Sequence, residues 1–340
     1  MSMNFQKLNN LNILGNIVSA NMLPMTGEKT KMPTVLKLYV LVVWTFSMIY
    51  FITILYGLLK VPKDKVLKGG AINMVVMFEN LFLMLHFYNN KKVLRQLIRT
   101  LNSVLTIPDE ILRTVTTKTV MILQKAMKTY IIFSISALIF WMPIPVMEAF
   151  HRNQFYYEDY QLPMAVSKEP FSTQIFVAGS VFQFFGAVYS LIRKLSLDLY
   201  SMHIILLMTA QYKYLNKKFT SALASDPVPG NENQFRRELG GLIRHHRIVL
   251  RMTALLKQVF SLNVTLLYVT NVFRLCFLSF MIATASEESL VACLVIIYTI
   301  GALMQLYMFC FCVQQLVETV EDSPKEKDFQ QKVLFEDFEI

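Results

Sequence analysis

The chain has 340 residues, 54% of them apolar and only 16% charged, with a mean hydropathy of +0.44. A soluble domain carries about 45–50% apolar and about 25% charged residues, so this balance excludes an ordinary soluble globule and points to lipid. The formal charge of +10 does not mark a nucleic-acid binder, because the basic residues alternate with apolar blocks and form no single patch.

Residues 1–33 are polar and lack the apolar core of a cleaved signal peptide, so the first apolar block is expected to be an uncleaved span. Six blocks of about 20 apolar residues follow, the length that crosses a hydrocarbon core of about 30 Å. They predict membrane helices over 35–59, 70–88, 129–150, 173–192, 255–283 and 289–313. The fold class is therefore all-α, a polytopic membrane protein. Lys and Arg counts orient it. With the N-terminus in the cytosol, the inner segments 1–37, 89–128 and 193–257 carry 4, 8 and 11 Lys/Arg. The outer segments 60–69, 151–172 and 284–288 carry 4, 2 and 0. N-inside is favoured, and six spans return the C-terminus to the cytosol. The same orientation disfavours a G-protein-coupled receptor, whose N-terminus lies outside.

The cytosolic segments read as helical extensions. Residues 192–219 contain no Pro or Gly, so the fourth span can continue as one helix of about 45 residues, or about 68 Å. Its protruding part carries Ile204, Ile205, Leu206, Leu207 and Met208, an apolar stretch that needs other helices to cover it. Residues 91–105, stopped ahead of Pro108, and 235–252 are the candidates. The expected organisation is a cytosolic N-terminus over 1–34, a transmembrane bundle over 35–313 with an anchor bundle built from 89–128 and 193–257, and a charged tail over 314–340. The alternative, that 195–212 is itself a span, lacks a turn to separate it from 173–192.

No catalytic or metal constellation appears. The histidines are scattered, and His245 and His246 are adjacent, the wrong spacing for one metal-binding helix face. There is no phosphate-binding glycine loop. No cofactor is expected, and no enzyme. The four cysteines, Cys276, Cys293, Cys310 and Cys312, all lie inside apolar segments. A small-molecule pocket suits the composition better, since such sites are apolar and aromatic with few polar anchors. Ser134, Ala137 and Trp141 share one face of the third span at i, i+3, i+7, and Pro143 and Pro145 beyond them can kink that helix. Ser180 and Phe184 in the fourth span and Met74 and Phe78 in the second are further candidates. Three ionisable residues stand out. Asp198 is placed to pair with Lys194 four residues earlier, or to hold the anchor bundle together. Glu79 and Arg274 lie at similar depth, about 12 Å inside the outer face. Buried ions of opposite charge either pair or share a wet cavity; the alternative has Arg274 reaching outward to Glu287 or Glu288 and Glu79 protonated.

Three stretches resemble the odorant receptors of insects. The first is Ser196-Leu197-Asp198-Leu199 with His203 and Tyr214-Leu215. The second is Arg244-His245-His246-Arg247-Ile248-Val249-Leu250, followed by Val259-Phe260-Ser261 and Leu275-Cys276-Phe277. The third runs from Gln305-Leu306-Tyr307 through Phe309-Cys310-Phe311-Cys312 to Gln315-Leu316 and Glu318. Their order and spacing carry the resemblance over about 30–322. It implies seven helices, an odorant cavity whose third-helix wall falls at Ser134, Ala137 and Trp141, and a tetrameric ligand-gated cation channel shared with a co-receptor in the plasma membrane. The expected partners are a small volatile odorant, the co-receptor and lipid. A gustatory receptor of the same superfamily is the alternative; a transporter would show an internal repeat and broken helices, and neither is visible. The sequence departs from the family after Glu321, where residues 322–340 form a charged tail without a run long enough to span. A truncated gene model or splice form, and a variant lacking its own pore-lining seventh helix, both stay open.

Overall fold

The computed structural model describes residues 3–8, 10–28, 32–62, 71–141, 147, 152–160, 162, 164–165, 167–224, 232–284 and 289–323. Eight helices account for most of them: α1 Asn10–Val18, α2 Thr34–Lys60, α3 Ala71–Asn89, α4 Lys91–Leu105, α5 Glu110–Trp141, α6 Thr173–Ala224, α7 Glu232–Thr284 and α8 Ser289–Glu321. A two-stranded antiparallel hairpin, β1 Gln154–Phe155 with β2 Phe171–Ser172, links α5 to α6. Of these, α2, α5, α6, α7 and α8 are long and apolar enough to cross a membrane. The sixth expected span is α3, whose 19 residues measure about 28 Å. Residues 324–340 of the tail lie outside the described residues, as do Pro143, Pro145, Glu287 and Glu288. The helix α8 runs on past residue 313 to Glu321.

Lipid-type surfaces are plain along the spans. On α2, Val35, Leu38, Leu41, Val42, Ile52 and Leu59 are exposed, the pattern of a helix that turns most of its circumference to acyl chains rather than to protein.

At one end of the molecule the helices run on into a protein-packed bundle. The sixth helix has 52 residues and the seventh 53, each about 80 Å long. The apolar extension of α6 is covered as its composition requires: Ile204, Leu207, Met208, Leu215 and Phe219 are buried against α4 and the first half of α7. The fourth helix is amphipathic. Leu94, Leu97, Ile98, Leu101 and Leu105, spaced for one helical face, are all fully or nearly fully buried. Hydrogen bonds tie α6 to its neighbours in this bundle. The Tyr212 hydroxyl pairs with Thr253 Oγ1 at 2.8 Å, Lys213 Nζ donates to Gln315 Oε1 at 2.7 Å, and Asn216 Nδ2 donates to the Thr319 carbonyl at 3.0 Å.

Asp109 starts α5 by accepting from the Ile111 and Leu112 backbone N–H groups at 2.8 and 3.3 Å. Its second oxygen takes the Tyr214 hydroxyl at 3.0 Å and the Lys218 ammonium at 2.8 Å. Burial alone would raise its pKa; the Lys218 ammonium and the other three donors outweigh that and hold the carboxyl below its ordinary value. Nearby, burial and the adjacent His246 push the His245 imidazole down to about 4.

The N-terminal segment is built into the fold rather than merely flanking it. Phe5 is fully buried, and its N–H donates to Asn102 Oδ1 at 2.8 Å. Asn16 brackets Leu23, donating to its carbonyl at 3.0 Å and accepting from its N–H at 2.8 Å. Asn21 Nδ2 donates to the Arg193 carbonyl and Trp44 Nε1 to the Ala20 carbonyl, each at 3.1 Å. Ala20 and Met22 adopt φ 55°, a left-handed conformation that costs each residue about 1–2 kcal/mol; the hydrogen bonds around this hook oppose that cost.

Candidate functional site

The described cavity with the largest volume, about 160 Å³, lies among all six long helices. Helix α2 contributes Tyr50, and α3 contributes Val76 and Met77. From α5 come Tyr130, Phe133, Ser134, Ala137 and Leu138, and from α6 Ala187, Ser190, Leu191 and Lys194. Arg274 and Met281 of α7 and Ile297, Tyr298, Gly301, Ala302 and Gln305 of α8 complete the walls. Most of this lining is aliphatic or aromatic.

The segment between α5 and α6 closes one side. Phe155, Tyr160, Leu162, Met164 and Phe171 cluster with Phe176 of α6 and with Tyr50 and Ile54 of α2. The amide of Gln183 fixes the loop backbone, donating to the Leu162 carbonyl at 2.8 Å and accepting from its N–H at 3.4 Å. Leu162 itself reaches the cavity. Tyr50 sits there because α2 and α6 approach closely at Gly186: a Cβ at that position would lie 2.4 Å from the Tyr50 ring.

The opposite character appears where α6, α7 and α8 meet. Lys194 Nζ forms ion pairs with Glu79 Oε1 and, at 3.1 Å, with Asp198 Oδ1. Asp198 Oδ2 accepts from Gln305 Nε2 at 2.7 Å, and Gln305 Oε1 accepts from Arg274 Nη1 at 2.9 Å. Arg274 also reaches Asn271 Oδ1 at 3.4 Å, and its guanidinium lies 5.5 Å from the centre of the Tyr298 ring. All five network residues are buried. Isolated charges at such positions are costly; two carboxylates and two cations here sum to zero, which makes their burial tolerable.

The sequence-based candidates divide accordingly. Ser134 and Ala137 line the cavity. Trp141 closes α5, and its side chain lies outside the described residues. Met74 instead packs against the loop cluster. Phe78 is 42% exposed and meets Phe51 edge-to-face. Ser180 is buried without a hydrogen-bond partner for its Oγ among the described residues, and Phe184 meets Phe185; neither lines the cavity. Glu79 and Arg274 do not bond to each other. Glu79 takes Lys194, Arg274 takes Gln305, and Asp198 joins the two pairs, so both the expected Glu79–Arg274 pair and an outward-reaching Arg274 give way to a relay. The reason is local: Lys194 offers Glu79 a full positive charge within reach, and a carboxylate takes the nearest ammonium. Asp198 does pair with Lys194. Sequence reasoning missed Gln305, a lone amide inside an apolar block, although an unaccompanied polar residue in such a block is itself a sign of a buried partner.

Fold and cavity together define a multi-pass helical membrane protein with an enclosed, mostly apolar small-molecule site. The family profile described as 7tm Odorant receptor matches residues 71–323. The chain belongs to the odorant receptor family, a family of receptors and not of enzymes. Among solved structures it is similar to the insect olfactory receptor OR5 from Machilis hrabei, with a TM-score of 0.75 and 14% identity over 93% of this chain and 81% of that one. The same receptor in complex with eugenol matches with a TM-score of 0.72, 14% identity, and coverage of 93% and 82%. Comparison with curated proteins finds no match.

Proposed function

We propose that this chain is a ligand-binding odorant receptor subunit. It takes a small, mostly apolar volatile into the cavity walled by Ser134, Ala137, Tyr50 and Leu162, and biases a cation channel assembled with a co-receptor subunit. It acts in the plasma membrane of olfactory neurons with its N-terminus and the end of α8 in the cytosol, the side favoured by the Lys/Arg counts. The observation that carries this reading is the 160 Å³ enclosed cavity in a chain of this family. Its volume is close to that of an engineered cavity of about 150 Å³ that binds benzene. The related receptor from Machilis hrabei is described in complex with eugenol, which supports the same class of ligand here.

The long helices supply a route from ligand to channel. The four helices α5–α8 each carry cavity residues at one level and packed bundle residues at another. A shift of a helix axis at the cavity is therefore passed to the bundle as a rigid displacement.

Ala137→Trp tests the proposal by filling the cavity. In cells co-expressing the co-receptor, odorant potency is expected to fall at least about tenfold at unchanged surface amount, while Phe78→Ala, outside the cavity, leaves it within about twofold. An unaltered dose–response for Ala137→Trp across an odorant panel would remove the cavity from the mechanism.

A further inference from the structure

Arg274 lines the cavity, and its Nε has no hydrogen-bond partner among the described residues. The rest of its guanidinium is engaged: Nη1 holds Gln305 Oε1 and Asn271 Oδ1, and Tyr298 lies against it. A buried N–H left without an acceptor carries a desolvation penalty, and a ligand oxygen seated in the cavity would relieve it. Lys194 and Gln305, the other polar groups of the network that line the cavity, are committed to Glu79, Asp198 and Arg274. Asp198 also keeps its two oxygens occupied by Lys194 and Gln305. Glu79 has an unpartnered Oε2, but it does not line the cavity. The network thus presents the cavity with a donor and no open acceptor.

Charge narrows the class further. Glu79, Asp198, Lys194 and Arg274 already cancel, so an anionic ligand would bring an uncompensated charge into a buried site, which is costly. A neutral oxygen accepts the same hydrogen bond without that cost. Size narrows it again, because about 160 Å³ admits a ring of benzene's size with a short substituent.

We infer that this receptor selects neutral molecules of about one six-membered ring that carry a single hydrogen-bond-accepting oxygen, such as a ketone, aldehyde or ester, with that oxygen accepting from Arg274. The inference rests on the receptor reading above and adds the ligand's chemical class to it. Without Arg274, the remaining lining would rank ligands by apolar area alone.

Three probes of similar shape separate the cases: ethylbenzene has no acceptor, acetophenone has a neutral carbonyl, and benzoate is an anion. Binding is read as the ligand-dependent rise in melting midpoint of the purified full chain, titrated with each probe. Acetophenone is the less hydrophobic of the two neutral probes, so a merely apolar cavity ranks ethylbenzene first. The expected result is acetophenone at least about tenfold tighter than ethylbenzene, with benzoate weaker than acetophenone. In Arg274→Met the acetophenone preference is expected to shrink to about twofold or less while ethylbenzene affinity holds. Should that variant fail to fold, the ranking on the unaltered chain decides. Ethylbenzene equal to or tighter than acetophenone overturns the inference and leaves the receptor reading standing. Benzoate as the tightest probe overturns it in favour of an anion site. Binding of none of the three overturns it too, and the receptor reading then stands or falls on Ala137→Trp.

Discussion

Replacing Lys194 by methionine preserves most of the side chain's length and removes its charge. Glu79 and Asp198 are then left together without their shared cation, with side chains 0% and 5% exposed. Water cannot take over, and Gln305 already uses its amide on Asp198. Removing one partner of a buried ion pair costs about 3–5 kcal/mol, and here one removal orphans two carboxylates, which puts Lys194→Met at the upper part of that range. Lys194→Arg keeps the charge and is expected to retain most of the stability. Because the damage lies in the unpaired carboxylates, Glu79→Gln combined with Lys194→Met should recover about 1–3 kcal/mol relative to the sum of the single changes. Thermal melting of the solubilised chain, followed by the loss of monodisperse protein, measures each midpoint. A charge swap of Glu79→Arg with Arg274→Glu should give much less recovery, since Gln305 and Asp198 stand between those residues. If Lys194→Met melts with the unaltered chain, or if the Glu79/Arg274 swap recovers more than the Glu79/Lys194 double change, the relay drawn from the structure is not the one that holds these helices.

Gly186→Ala should lower odorant potency several-fold with a modest loss of surface amount, because its Cβ would meet the Tyr50 ring at 2.4 Å and push that ring into the cavity; a dose–response unchanged from the parent would show that Tyr50 does not shape the site. Asp109→Ala should cost about 1 kcal/mol through the lost cap of α5, with little added from the partly exposed Lys218 pair. The pH dependence of the bundle follows from the same groups. Asp109 titrates below its ordinary value in the folded chain, so its contribution is full above about pH 4 and is lost as pH falls further. His245, held down to about 4, is neutral when folded and takes a proton near pH 6.5 only when unfolded, so stability falls from about pH 6.5 toward 4. Melting midpoints of His245→Phe should therefore be flatter than the parent's across that window, and parallel curves for the two proteins would contradict the assignment.

Much of this architecture is legible in the amino-acid sequence. Apolar blocks of about 20 residues can only be helices in lipid, since every backbone N–H and C=O must be satisfied within the segment. The apolar run Ile204–Met208 beyond its span demands cover, and the amphipathic stripe of Leu94, Leu97, Ile98 and Leu101 is visible as the element to supply it. Ser134 and Ala137 are readable as one helix face, and the Asp198–Lys194 pair as an i, i+4 contact. These are local facts, set by the 3.6-residue period within one helix.

What the period does not carry is the identity of the neighbour across the gap. Phe78, Ser180 and Phe184 have the right chemistry for a pocket, but the rotation of α3 and α6 in the packed bundle turns them elsewhere. Glu79 and Arg274 match in depth and charge, yet depth along one axis says nothing of which helix lies between, and Lys194 stands there. The loop cluster around Leu162 and the N-terminal hook around Asn16 and Asn21 have no periodic signature, because their conformations are held by contacts with α2 and α6 distant in sequence. Residue order alone is enough for the helices, their faces and the family. Which polar groups meet is settled by tertiary packing, since the low dielectric of the interior makes each buried charge take whichever partner the fold brings within bonding distance.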